Sequence, residues 1–218
     1  MINSVLKYFG FFSLAYIVLL LIFSFTGLEE GYFSMLRGTF SSVFSEFKSE
    51  GGVDFELVKD DKSSHEKLKT TIYNISEKKD VIQRIRSNPS LAKTLSYFGS
   101  WANIHLWVFV ALPFIFLITL ILSSPINIPR KLLALLSGTI LFHVFVLFKM
   151  WLYLLKEFYN NDVLNVVNLS TPTGKLVNFV YALIENMGFG LFICIIIWVL
   201  VSFRSKDFKS FSQNLQKN

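Results

Sequence analysis

The chain has little charge and only one cysteine, Cys194, among its 218 residues. Only 17% of the residues are charged and 53% are hydrophobic, with 24 phenylalanines and a mean hydropathy of +0.52. Soluble domains of this length carry more charge, so the composition predicts that a lipid bilayer is the main solvent. A single cysteine excludes a disulfide within the chain, which favours a bacterial or archaeal envelope.

Sequence motifs for metal binding, phosphate binding and nucleophilic catalysis are also lacking. The chain has no HExxH or CxxC motif, no Gly-rich phosphate loop, and no Ser/His/Asp set or paired carboxylates in a recognisable context. Its formal net charge is +6, but in a membrane protein a basic excess usually reports topology. We therefore expect no cofactor, no bound metal and no nucleic-acid partner.

Four long apolar runs predict an α-helical integral membrane protein with four transmembrane helices. The predicted spans are residues 8–25, 101–122, 132–155 and 177–203. The first run has 18 uncharged residues, which at about 1.5 Å per residue is just enough to cross about 30 Å of hydrocarbon. It is longer than the apolar core of a signal peptide and no A-x-A-like site follows, which favours an uncleaved anchor. Pro113 predicts a kink in the second span.

The placement of basic residues predicts the orientation. The short turn between the second and third spans carries Arg130 and Lys131 and no acidic residue, and the tail, residues 204–218, begins with Arg204 and includes Lys206. Short loops rich in Lys and Arg remain in the cytoplasm. Turn and tail then lie inside the bacterial cytoplasmic (inner) membrane, both termini are cytoplasmic, and residues 28–100 lie outside.

Residues 28–100 are the one sizeable polar segment, in which 11 basic residues balance 11 acidic ones. Alternating polarity and β-branched residues predict a strand hairpin at about 53–75. A serine cap and apolar residues on one face predict a helix at about 76–88. The Phe-rich residues 32–47 favour an interfacial helix continuing from the first span. We expect this small α+β extracytoplasmic module to rest on the membrane surface or on a partner, because it would be marginally stable alone.

Three polar residues of the predicted spans share one depth. His105, Lys149 and Glu185 lie 17, 17 and 18 residues from the cytoplasmic ends of their spans, which is about 26 Å of helical rise and close to the outer interface. One interpretation is an ion pair of Lys149 with Glu185 that holds the bundle together. In another, Lys149 extends its ammonium group to the headgroups, Glu185 only begins the fourth span, and His105 is interfacial. The third is a proton- or substrate-handling layer.

Two further residues lie deeper in the predicted spans. For His143, near the bilayer centre, the alternatives are a neutral imidazole bonded to a neighbouring helix, a proton relay and a metal ligand. No second histidine or carboxylate is predicted at that depth to complete a metal shell. Cys194 would be a nucleophile only beside a base, so we favour a buried structural thiol.

The order of parts resembles that of the small membrane proteins encoded beside exosortases in bacterial export and exopolysaccharide systems. In that family a span ends in a Thr- or Ser-Pro turn, followed by basic residues and a Leu-rich helix. Here Ser124-Pro125, the pair Arg130-Lys131 and residues 133–138 match this pattern. The resemblance implies an accessory role beside a membrane transpeptidase that processes sorting signals. Exosortases themselves use a Cys, Arg and His set that the lone Cys194 does not match, so the resemblance does not imply their enzyme activity.

The sequence thus predicts a non-enzymatic accessory or assembly subunit of a bacterial envelope system, linked to protein sorting or exopolysaccharide export. Its spans would pack in the bilayer against a polytopic protein such as an exosortase, and its outer hairpin would bind an extracytoplasmic protein. The alternative is a small transporter or channel component that uses His143 with the layer of three polar residues. A third hypothesis is a membrane enzyme that uses Cys194 or His143. A claudin-like plan is disfavoured because residues 28–100 contain no Trp and no Cys.

Overall fold

The structure is a computed structural model that describes residues 2–59, 66–87, 100–161, 164 and 166–203. The chain is mostly helical and has one four-stranded antiparallel sheet. Its described elements, in chain order, are α1 (Ile2–Phe25), α2 (Leu28–Phe44), β1 (Glu46–Phe47), β2 (Gly51–Lys59), β3 (Glu66–Asn74), α3 (Ile75–Ser87), β4 (Ser100–His105), a π-helix (Trp107–Ala111), α4 (Leu112–Ser123), α5 (Ile128–Asn160), α6 (Thr171–Glu185) and α7 (Met187–Ser202).

These elements form two compact units. Of the described residues, the first unit contains 2–28, 108–146 and 185–203, and the second contains 29–107 and 147–184. The long helix α5 contributes its N-terminal part to the first unit and its C-terminal part to the second. Each unit has its own buried apolar residues.

In the first unit, α1 and α7 both pack against α4. The ring of Phe116 on α4 meets the rings of Phe12 and Tyr16 on α1 edge-on, with centroids 5.6 and 6.1 Å apart. On the α7 side, a Cβ atom added to Gly190 would lie 3.4 Å from the ring of Pro113. The missing side chain at Gly190 therefore lets the two helices approach closely, as small residues do between apolar helices.

Pro113 also accounts for the irregular start of α4. Proline has no N–H group and its ring displaces the carbonyl of residue i−4, so regular helix geometry is lost just before it. The π-helix ends at Ala111, and Pro113 lies in the first turn of α4. The disturbance that the sequence predicted at Pro113 therefore takes the form of a π-helical turn.

The beginning of the predicted second span is wrong. Residues 100–105 form β4, which pairs antiparallel with β3, and helical structure follows only after His105. The segment alternates exposed and buried side chains: Trp101, Asn103 and His105 are exposed and Ile104 is buried. This is the period of a strand, and a hydropathy window averages it away.

The predicted fourth span is also not one helix. α6 ends at Glu185 and α7 begins at Met187, with a break at Asn186. The side chain of Asn186 accepts a hydrogen bond from the N–H of Gly188 at 2.8 Å and so begins α7 as its N-cap. α1 and α2 are likewise separate helices, with a break near Gly27, whose φ of 71° favours glycine. The predicted interfacial helix at 32–47 corresponds to α2.

One described helix, α5, is long and apolar enough to cross a membrane. The helix pairs α1–α2 and α6–α7 would each add one crossing if each pair were a single broken span. The predicted third span, residues 132–155, lies within α5. The coarse prediction of a mainly helical chain with a small strand-containing module is confirmed, whereas the arrangement with four crossings stays a prediction.

In the second unit the strands pair in chain order, and β2 and β3 form the hairpin predicted at 53–75. The helix predicted at 76–88 is present as α3. One face of the sheet is buried on α2 and α5. The ring of Phe55 lies 5.9 Å from that of Phe40 on α2, and the ring of Phe47 stacks on Phe158 of α5 at 5.2 Å.

Candidate functional site

The face of the sheet opposite this core, which we call the outer face, is formed by alternate residues of β2, β3 and β4. Because successive strand residues point to opposite faces, the strand register arranges the outer side chains in rows of three. The rows are Asp54, Thr71 and Trp101; Glu56, Lys69 and Asn103; and Val58, Lys67 and His105. In each row the β3 residue stands between a residue of β2 and one of β4.

The charges on the β2 side of the outer face are paired within the module. Nζ of Lys69 lies 3.9 Å from the carboxylate of Glu56. Asp54 accepts hydrogen bonds from Nζ of Lys78 on α3 at 3.2 Å and from the hydroxyl of Tyr73 at 3.3 Å. The Lys78 ammonium also lies 3.7 Å from the centroid of the Tyr73 ring. Partial burial lowers the pKa of Lys78, but the contacts with Tyr73 and Asp54 outweigh it, and the net shift is upward.

The β4 column of the outer face differs from the β2 column in its side-chain chemistry. Both columns are exposed, but β2 presents the carboxylates of Asp54 and Glu56, whereas β4 presents Trp101, with 61% of its surface accessible, beside Asn103 and His105. Among the described strands, β4 has a neighbour on one side only, so it is an edge of the sheet. An exposed tryptophan on an edge strand is typical of a protein-binding surface.

Asn74 fixes the position of α3 beside the sheet. Its Oδ1 accepts hydrogen bonds from the N–H and the hydroxyl of Ser76, at 3.0 and 2.6 Å, and from the N–H of Glu77 at 3.4 Å. Its Nδ2 donates to the carbonyl of Leu164 at 3.1 Å. The prediction of a serine cap is wrong in its residue: the buried Asn74 is the N-cap, and Ser76 is one of the groups it binds.

The three residues predicted to share one depth have different environments. His105 lies on a strand, so the helical rise that placed it in the layer does not apply to it. Lys149, in the second unit, is only 2% exposed. The interpretation in which Lys149 extends its ammonium group to the headgroups is therefore wrong. Glu185 is the last residue of α6 and is exposed. The Lys149–Glu185 ion pair stays a prediction.

His143 and Cys194 lie in the first unit, and each makes a hydrogen bond to a backbone carbonyl. Nδ1 of His143 is 2.8 Å from the carbonyl oxygen of Thr139 in the same helix. The rings of Phe114 and Phe142 meet the imidazole edge-on at 5.2 and 5.8 Å. The thiol of Cys194 is buried and donates to the carbonyl of Pro113. Within the described residues, no group of three or more His, Cys, Asp or Glu side chains could hold a metal ion.

The chain was compared with protein-family models, with curated proteins and with solved structures. None of the three comparisons finds a match. The function has to be inferred from the residues and their geometry.

The predicted topology anchors Arg130 and Lys131 have a structural task that the sequence did not reveal. Nη2 of Arg130 donates to the carbonyl of Ser202, the last residue of α7, at 3.0 Å. Nζ of Lys131 donates to the carbonyl of Leu122, in the last turn of α4, at 2.7 Å. Both cations satisfy carbonyls that a helix end leaves unpaired and complement the negative end of its dipole. The other two anchors, Arg204 and Lys206, lie outside the described residues.

Proposed function

We propose that the protein is a non-enzymatic accessory or assembly subunit of the bacterial cytoplasmic membrane, and that it binds an extracytoplasmic protein through the β4 column of its outer face. The observation that carries the proposal is the exposed indole of Trp101 on the edge strand β4, beside Asn103 and His105, whereas the equally exposed β2 column presents the carboxylates of Asp54 and Glu56. A binding surface gains most where little charge has to be desolvated and a large aromatic side chain can be buried.

A location in the membrane is supported by the surface of the first unit. Large apolar side chains are exposed on α1, α5 and α7, among them Phe11, Leu14, Ile140, Leu141, Phe192 and Leu200. Soluble proteins rarely expose so much apolar surface, because the contact with water is unfavourable. We propose four crossings with cytoplasmic termini, as the basic turn indicates. α7 has 16 residues, about 24 Å of rise, so a crossing there requires local thinning of the bilayer.

An accessory role is supported by the hydrogen bonding of Cys194 and His143, the two residues that could have been catalytic. The Cys194 thiol and the His143 imidazole each contact a backbone carbonyl, which supports a structural role for both. We propose an exosortase as the polytopic partner, on the basis of the sequence resemblance. The transporter alternative requires a polar path, and the imidazole lies against two phenylalanine rings.

Site-specific photo-cross-linking tests the binding surface. A photoreactive residue at Asn103 is expected to cross-link to an exosortase, or to another extracytoplasmic protein of the same system, when the two are produced together in a bacterial membrane. The same residue at Gln83, which is exposed on α3, is the matched control. Trp101→Ala should weaken the complex by about 2 kcal/mol, roughly thirty-fold in Kd, if Trp101 is a central contact. Equal cross-linking from both positions, or an unchanged complex with Trp101→Ala, would contradict the proposal.

A further inference from the structure

The first unit contains an open apolar groove with a volume of about 550 Å³, lined by side chains of α1, α4 and α7. Phe12 of α1, Phe116 and Leu120 of α4, and Ile195 and Trp198 of α7 form its walls, and Ser123 lies at the end of α4. Two of these helices, α1 and α7, also carry exposed apolar side chains. An apolar, elongated ligand therefore fits it better than a polar metabolite.

The end of the groove near the C-terminus of α4 has two serine hydroxyl groups, Ser123 and Ser124, which differ in their hydrogen bonding. Ser124 Oγ accepts a hydrogen bond from the indole N–H of Trp198 at 2.6 Å and donates to the carbonyl of Leu120 at 2.8 Å. Ser123 Oγ is buried and has no hydrogen-bond partner among the described residues. Neither hydroxyl is presented to the groove, whose lining is almost entirely apolar, and this favours an acyl chain over a polar ligand.

Arg130 and Lys131 lie at the same ends of α4 and α7. Lys131 binds the carbonyl of Leu122, the neighbour of Ser123, and Arg130 binds the carbonyl of Ser202, one turn beyond Trp198. Each helix C-terminus contributes about half a negative charge and the start of α5 about half a positive one, so the two cations leave this end positive. An ammonium group has three donors, and the bond to Leu122 uses one of those of Lys131.

We propose that this groove is a binding site for an anionic phospholipid of the cytoplasmic leaflet. One acyl chain occupies the groove between α1, α4 and α7, and the phosphate lies beside Arg130 and Lys131. The combination of an apolar groove with a positive end matches an amphiphile with a negative head group. An apolar helix of a partner protein would also fill the groove, but its binding would not depend on the positive charge of Arg130 and Lys131. The inference rests on the proposed membrane location, but not on the proposed binding surface of the sheet.

Trp198 supplies a reporter inside the site. The chain has four tryptophans, and replacing Trp101, Trp107 and Trp151 by Phe leaves Trp198 as the one fluorophore of that class. Phospholipids with brominated acyl chains quench tryptophan by contact, so quenching measures occupancy of the groove. The matched control keeps only Trp151, which lies on α5 and is 40% exposed.

The full chain is reconstituted into vesicles in which the brominated lipid is phosphatidylglycerol in one series and phosphatidylcholine in the other. Quenching of Trp198 should give a relative binding constant for phosphatidylglycerol at least five-fold higher than for phosphatidylcholine. One cation near an anionic lipid contributes about this factor. The control with Trp151 should show no preference. Equal quenching of Trp198 by the two lipids, or quenching by neither, would overturn the inference, and the second result would indicate that protein fills the groove.

Variants of the two cations identify the origin of the preference. Arg130→Gln with Lys131→Gln should reduce it to near one, whereas the exchange Arg130→Lys with Lys131→Arg, which keeps both charges, should retain most of it. Should the neutral variant not fold, the protein that retains Arg130 and Lys131 can be measured at increasing salt concentration. Salt should then reduce the lipid preference, because screening weakens a charge-dependent interaction. A preference that survives both changes would overturn the inference. Failure of the chain to float with the vesicles would instead contradict the proposed membrane function itself.

Discussion

The thiol of Cys194 donates a hydrogen bond to the carbonyl oxygen of Pro113 at 3.2 Å. Together with Gly190, one turn earlier on α7, it keeps two helices of the first unit in close contact. The lone cysteine of the chain thus has a packing role, and its small volume matters as much as its donor group.

Substitutions of Cys194 distinguish a packing role of this residue from a catalytic one. Cys194→Ser keeps a donor of similar size and should retain the fold and the function, whereas Cys194→Leu overfills the contact and should lower the free energy of unfolding by about 1–3 kcal/mol. Ile195→Leu, at the exposed neighbouring position, is the control and should have little effect. Thermal unfolding in detergent measures all three. A loss of function in Cys194→Ser at normal stability and abundance would contradict a non-enzymatic role.

Asn74 should be the most sensitive polar residue of the sheet module. Asn74→Ala removes the cap of α3, which costs about 0.5–2 kcal/mol, and a buried hydrogen bond to Leu164, about 1 kcal/mol more. We expect the free energy of unfolding to fall by about 2 kcal/mol. Asn103→Ala, the same change on the exposed outer face, should have almost no effect on stability. Chemical denaturation of the two variants compares them, and equal losses would contradict the assignment of the cap.

Adding one methyl group at Gly51 and at Gly38 should change the stability of the protein in opposite directions. At Gly51 a Cβ atom would lie 2.8 Å from the Phe158 ring, 2.8 Å from the carbonyl of Phe47 and 3.0 Å from Val166. Gly51→Ala should therefore destabilise the protein by about 1–3 kcal/mol. Gly38, within α2, has open space around its Cβ position. Gly38→Ala should stabilise by about 0.5–1 kcal/mol, because alanine favours a helix. Unfolding midpoints that shift in the same direction would contradict this packing.

The contacts of Lys78 predict a dependence of stability on alkaline pH. Its pKa is raised above the ordinary value near 10.5 because Tyr73 and Asp54 favour the ammonium form. The resulting stabilisation is fully present below the pKa of the unfolded chain, about 10.4, and is lost as the pH rises through the folded value. Lys78→Met should flatten the alkaline part of the unfolding profile, whereas Lys79→Met on the same helix should not. The effect is small, because the Lys78 side chain is 39% exposed.

The orientation can be measured with a single introduced thiol. In a Cys194→Ser background, Asn127→Cys places a probe in the basic turn beside the N-terminus of α5. A membrane-impermeant maleimide should label it only after the membrane is opened, because the turn is expected in the cytoplasm. Asn103→Cys, on the outer face, should be labelled in intact cells. Labelling of position 127 in intact cells would reverse the proposed topology.

Local patterns in the sequence were sufficient for several elements. The alternation in residues 53–58 and the β-branched run that follows predicted the β2–β3 hairpin, and the apolar face after it predicted α3. Among the described helices, α5 is the one clearly able to cross a membrane, and it contains the predicted third span. These elements depend on contacts between residues close in the chain, so the sequence pattern carries most of the information that forms them.

The sequence by itself determined that the chain is mostly helical, with a small hairpin module and a basic turn, because periodicity and composition act locally. Only the tertiary structure decided that residues 100–105 pair with β3 as a strand, that Lys149 is buried, and that Arg130 and Lys131 bind the ends of two other helices. A backbone group must find a hydrogen-bond partner wherever the chain brings one close. That partner can lie many residues away, so an averaged hydropathy window cannot predict it.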